Sequence, residues 1–91
     1  MWMVPKDWRL EWRQWGELHV VYNPASGDTH LLNGVSAFVL TSLEKKAATT
    51  DELRNRLSKW LGRRPDDGLS SDIEALVSEL DELGLIATAP S

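Results

Sequence analysis

Cysteine is absent from this 91-residue chain, which excludes a disulfide scaffold and any thiolate metal site. A reducing compartment is the simpler expectation. Nowhere do 18 apolar residues run together, and the opening MWMVPKDWRLEW has no long apolar h-region. Neither a membrane-spanning helix nor a secretory signal is expected, and the chain reads as cytoplasmic with no membrane partner. Tyrosine and phenylalanine occur once each, but there are five Trp. Those five supply large rigid surface to a modest core, with at least one left over for an interface. Net charge is −4 and the pI about 5.0, a balance that disfavours long-range steering toward nucleic acid. The length allows one domain, spanning 1–91 with its core at about 8–87.

One stretch, SGDTHLLNGVSAFVLTSL from Ser26 to Leu43, organises the rest. It opens on a turn centred at Gly27, whose backbone needs positive φ. A short strand over 29–32 follows, and Asn33 caps a helix over 33–46 by accepting a backbone N–H. Val35, Phe38, Val39 and Leu43 recur at helical spacing, widened by Ala37 and Leu40. Upstream, 8–15 alternates as a strand with Leu10 and Trp12 on one face and Arg9, Glu11 and Arg13 on the other. Trp15 has the parity of the polar face, which places it over the sheet edge or at a bulge. Gly16-Glu17 has hairpin length, and LHVVYN over 18–23 is the second strand, with Leu18, Val20 and Tyr22 on one face.

Downstream, Thr49 or Thr50 caps a second helix, and Thr49 with Glu52 fits a capping box. Leu53, Leu57, Trp60 and Leu61 mark its buried side and Gly62 its end. RRPDDGLS over 63–70 reads as a loop, and Ser71 with Glu74 as the cap of a third helix. That helix carries Ile73, Leu76, Val77, Leu80 and Leu83 on one side and stops at Gly84, after which Leu85 and Ile86 resume apolar contact. Residues 1–7 and 88–91 are expected to be irregular or frayed. The expectation is an α+β domain: a three-stranded antiparallel meander followed by three helices, winged-helix-like in outline.

Helices two and three resemble a helix-turn-helix, but the charges oppose DNA binding. Asp72, Glu74, Glu79, Asp81 and Glu82 lie on helix three, with no Lys or Arg between Ser70 and Gly84. An acidic recognition helix is repelled by phosphates. The cations Arg54, Arg56, Lys59, Arg63 and Arg64 are accounted for by a basic second helix facing an acidic third.

Catalytic and metal signatures are weak. His19 and His30 fall on adjacent strands, with Glu17 or Asp28 as the carboxylates nearest in sequence, a set short of a zinc site. Ser26, Asp28 and His30 have the residue types of a hydrolytic triad, but crowded into one hairpin they cannot orient one another around a substrate. The Ser-Gly-Asp turn lacks the glycine-rich pattern of a phosphate loop. No catalytic residue, metal or cofactor is expected. Trp8, Trp12, Trp15 and Tyr22 are the largest groups on the sheet, most of them covering the core and hairpin ends, with one or two available as anchors for a partner. If the short third strand lies at the sheet edge, Thr29, His30, Leu31 and Leu32 present unpaired backbone to an extended peptide.

The ordered set of Trp12 with Trp15, Val21-Tyr22, Ser26-Gly27, Thr29-His30-Leu31-Leu32, TTDELRNRL and Glu79-Leu80 to Gly84-Leu85-Ile86 resembles the PqqD-like proteins, also called RiPP recognition elements. Within them the chain is similar to the bacterial peptide chaperones associated with HPr-kinase-related proteins. The resemblance covers about 8–87. It implies a non-catalytic domain that binds the leader of a ribosomally made precursor peptide and presents it to a modifying or HPr-kinase-related enzyme. The leader would join the strand edge at Thr29, His30, Leu31 and Leu32, facing a helix-three wall of Leu76, Glu79, Leu80 and Leu83. The Asn-Pro-x-Ser-Gly turn and the Thr-His pair belong to that subgroup, so a role in pyrroloquinoline quinone synthesis is not implied. Two alternatives stand beside this reading: a docking subunit of an enzyme without leader binding, and a DNA-binding winged helix. A sheet edge left open also allows self-pairing into a homodimer.

Overall fold

The aromatic residues of WRQW and the β-branched and aromatic residues of HVVY favour extended chain, and the meander they build is the frame for everything else. A computed structural model describes residues 1–62, 64 and 66–89. Its strands are β1 (Trp2–Met3), β2 (Glu11–Trp15), β3 (Leu18–Asn23), β4 (Asp28–Leu32) and β5 (Ala87–Thr88), and its helices α1 (Gly34–Lys45), α2 (Thr50–Leu61) and α3 (Asp67–Glu82). The main sheet has the order β2-β3-β4, antiparallel throughout, and the three helices follow it in sequence.

Register decides which side chains enter the core. Trp12 pairs with Val21 and Val21 with His30, while Gln14 pairs with His19 and His19 with Leu32. Directly paired residues share a face, and this is the helix-covered one, because Val21 is wholly buried and Leu32 nearly so. Leu18, Val20 and Tyr22 do share a face as expected, but it is the outer one, with Arg13, Trp15 and Leu31. Trp15 pairs with Leu18 in unbroken register, so no bulge forms there, and the indole is 76% exposed.

Each helix starts where a side chain satisfies a free backbone N–H. Asn33 accepts from Ser36 N–H at 2.9 Å. Thr49 and Glu52 form the full capping box, each side chain accepting from the other's N–H at 3.2 Å. The bond from the Thr49 N–H holds the Glu52 carboxyl below its ordinary pKa. Helix α3 begins earlier than the Ser71 box suggests: Asp66 accepts from Leu69 N–H at 2.7 Å, so the connection from α2 is shorter than the expected loop. The reason is tertiary, since the early start brings Leu69 into the core at 1% exposure. At the other end Gly84, with φ of 74°, turns the chain, and Leu85 N–H donates to the Leu80 carbonyl at 3.0 Å. That reversal buries Leu85 and Ile86.

The buried stripe of α3 is Leu69, Ile73, Val77 and Leu80, packed with Leu53 and Leu57 of α2 and Val39, Leu40 and Leu43 of α1. The expected buried side of α2 is only half realised, because Trp60 and Leu61 are 51% and 42% exposed. Trp60 stacks instead on Phe38, ring centres 4.6 Å apart. Two cations of α2 have other partners among the described residues. Arg54 donates to Ser70 Oγ at 3.1 Å and pairs with Asp51 of its own helix. Arg56 donates to Ser42 Oγ and the Lys46 carbonyl, tying α2 to the end of α1.

Both chain ends are more ordered than their sequence suggests. Strand β1 pairs with β5, Trp2 opposite Thr88 and Met3 opposite Ala87, and Trp2 exchanges two backbone bonds with Ala48. Two-residue strands have no readable period, so only the folded chain reveals them. Arg63 and Pro65 of the expected loop, and Pro90 and Ser91 of the expected frayed tail, lie outside the described residues.

Candidate functional site: the β4 edge and the α3 wall

Strand β4 has one paired neighbour, β3. On its other side alternate residues aim N–H and C=O groups away from the sheet, as an antiparallel edge requires. Thr29 and Leu31 lie on the outer face and are exposed, Leu31 by 59%. His30 is half-buried on the helix side, and Leu32 is buried. His30 Nε2 is enclosed and has no hydrogen-bond partner.

The direction of α3 relative to this edge follows from two connections. Asn23 pairs with Asp28, the first residue of β4. Its side chain is buried, donates through Nδ2 to the Gly84 carbonyl at 3.2 Å and accepts through Oδ1 from Ala25 N–H at 3.0 Å. The C-terminal end of α3 is therefore tied to the start of β4. At the other end, Asn33, the residue after β4, shares a cavity of about 300 Å³ with Val35, Leu57, Asp72, Ala75, Leu76 and Glu79. Helix α3 thus runs opposite in direction to β4.

Leu76 and Leu83 are only half-buried, unlike Leu80, which is 1% exposed and belongs to the core. Of the residues expected to form the helical wall, Leu76 and Glu79 line this cavity, Leu83 is half-buried against the core, and Leu80 lies within the core. Asp72, Leu76, Glu79 and Leu83 follow one another at helical spacings of four, three and four. They make one line in which acids and half-buried leucines alternate. Sequence reasoning took Asn33 only as a helix cap and Asp72 only as part of an acidic face, and did not name Ala75; the spacing of Asp72 to Leu76 and Glu79 was the available signal.

The opposite flank differs. Trp12, His19, Gly34, Ala37, Phe38, Thr41 and Trp60 line a cavity of about 200 Å³. Trp12 Nε1 donates to Glu44 Oε1 at 2.6 Å. Glu44 is exposed as a residue, but its carboxylate is partly desolvated beside the indole, and that desolvation pushes its pKa up. The indole N–H works in the opposite direction and does not cancel it.

Ser26, Asp28 and His30 are not arranged as a triad. Ser26 Oγ is engaged in its own turn, donating to the Asn23 carbonyl and accepting from Asp28 N–H, both at 3.4 Å. No base orients it. His19 and His30 share the helix side of the sheet but sit opposite Leu32 and Val21, one step apart diagonally. Among the described residues no three His, Cys, Asp or Glu side chains gather where they could hold a metal ion, and no helix is long and apolar enough to cross a membrane. Gly27 has φ of 79°, and its N–H donates to the Asn23 carbonyl at 2.8 Å; it makes a hairpin turn, not a phosphate cradle.

Comparison with known proteins agrees with this architecture. Residues 19–86 match the family model described as Coenzyme PQQ synthesis protein D (PqqD), a span from β3 to the end of the core. No curated protein matches the chain. Among solved structures, TbiB1 in complex with the TbiA(beta) leader peptide superposes with a TM-score of 0.66 at 14% identity, covering 98% of this chain and 100% of that one. The similarity extends over the three-stranded meander and the three helices that follow it.

Proposed function

The chain belongs to the PqqD family, and from that premise we propose that it is a non-catalytic peptide-binding adaptor. It takes the leader of a ribosomally made precursor peptide as an added strand on β4 and presents it to a modifying or HPr-kinase-related enzyme. The carrying observation is the β4 edge, which among the described residues pairs with β3 alone, with half-buried Leu76 in the cavity at its Asn33 end. Backbone bonds along Thr29, His30, Leu31 and Leu32 supply affinity without regard to sequence, and the side chains turned into the groove select. TbiB1, of the same fold, is described in complex with a leader peptide, which supports the same use of this one.

Titration of the labelled chain with synthetic leader peptides, the TbiA(beta) leader among them, tests this. The amides of 29–32 and of α3 are expected to shift together. Leu31→Pro, which removes one strand donor, is expected to abolish the response while circular dichroism stays native. A silent β4 under saturating peptide would refute the proposal.

A second reading has its own support. Trp15, Leu18, Tyr22 and Leu31 form an exposed apolar outer face, with Leu18 43% and Tyr22 36% exposed, and such a face suits a protein partner. A docking subunit that carries no leader would form a stable pair with its enzyme and give no peptide response. Trp15→Ser would dissociate that pair.

A further inference from the structure

The groove beside β4 has a chemistry of its own, and resting on the strand-addition reading we infer that the leader it takes carries a Lys or Arg two residues before an apolar anchor. Three observations combine. The cavity at the Asn33 end of the groove has an apolar floor of Val35, Leu57, Ala75 and Leu76, sized for one aliphatic or aromatic side chain. Asp72 and Glu79 stand on its rim, and helix three has no Lys or Arg from Ser70 to Gly84 to neutralise them. Both carboxylates are on exposed residues, so they attract a cation without first being stripped of water.

Spacing sets the motif. Asp72 and Leu76 are four residues apart, about 6 Å along a helix axis. Side chains on one face of a strand recur every two residues, about 6.7 Å. An added strand lying along α3 therefore places one side chain over Asp72 and the next same-face side chain over Leu76. Order follows from direction. Asp72 lies toward the Leu32 end of β4 and the helix C-terminus toward the Asp28 end. A strand that continues the antiparallel pattern of the meander enters at Leu32 and leaves at Asp28, so it passes Asp72 before Leu76. The cation precedes the anchor.

The test pans a phage-displayed library of random twelve-residue peptides on the intact chain and follows the enriched peptides by amide shifts. Enrichment of [Lys/Arg]-x-[Leu/Ile/Val/Phe] is expected, with β4 amides moving. Replacing the cation by Glu is expected to weaken binding about tenfold, by a margin that shrinks as salt is added. Asp72→Lys, at an exposed position that leaves the fold intact, is expected to reverse that preference. Peptides that move β4 but carry no cation two residues before the anchor would overturn the inference and leave the adaptor reading standing. No enrichment, or enriched peptides that leave β4 silent, would take down both.

Discussion

The two edges of the meander are built from strands of equal length and differ in nearly everything else. Strand β2 reads Glu-Trp-Arg-Gln-Trp, with both charge signs and an amide on five residues. Strand β4 reads Asp-Thr-His-Leu-Leu, without a cation and with its one acid at the first position. Charged side chains, especially cations, are how sheets discourage further pairing, and β2 has them where β4 does not. The flanks differ in the same sense. Beside β2, Trp12 is fastened to Glu44 by a short hydrogen bond, whereas past the end of β4 half-buried Leu76 lines an open cavity with Asn33. An edge is open by composition and by what stands next to it, and between these two edges the composition favours β4.

That asymmetry can be broken in several places. The largest effect is expected from Asn23→Ala, which removes the buried amide that bonds the Gly84 carbonyl and the Ala25 N–H together and releases the end of α3 from β4. A loss of about 2 kcal/mol in urea unfolding is expected, with weakened peptide binding and an unchanged Trp12–Glu44 flank. Next, Leu31→Lys gives β4 the defence that β2 has. Stability should stay within about 0.5 kcal/mol because the site is exposed, while peptide affinity measured by calorimetry should fall about tenfold. A smaller gain is expected from the converse change: Glu11→Val with Arg13→Val strips β2 of its charges and should produce concentration-dependent self-association in sedimentation experiments. If the stripped chain stays monomeric, charge is not what closes β2.

The smallest effect concerns pH and the β2 flank alone. Burial raises the Glu44 pKa above its ordinary value of 4.5. A carboxyl whose folded pKa is raised contributes its stabilisation below the unfolded value and loses it as pH rises through the folded one. Glu44→Gln keeps an oxygen to accept from Trp12 and removes that loss. Its stability relative to the parent should therefore improve as pH rises from about 4 to about 7, read from urea midpoints, with no change in peptide binding at β4. An opposite slope would show that the indole bond outweighs burial.

Much of this protein was legible in its residues because the relevant physics is local. Hairpin turns, the caps Asn33 and Thr49, the Gly84 stop, the three strands of the meander and the three α-helices each depend on a few neighbouring side chains, and short-range patterns report them. The place of 29–32 at one end of the strand order was likewise foreseeable, because a meander pairs its strands in sequence. What only the folded chain decided depends on distant partners. Val20 and Val21 are interchangeable in pattern, and pairing with Trp12 and His30 sent Val21 inward and left Leu18, Val20 and Tyr22 outside. Asp66, rather than Ser71, became the cap of α3 because Leu69 gained a place in the core. Strands of two residues at the chain ends have no period to read. Leu76 and Leu80 look alike along one helical stripe, and only the neighbours packed against α3 determined that Leu80 is sealed while Leu76 faces the open groove.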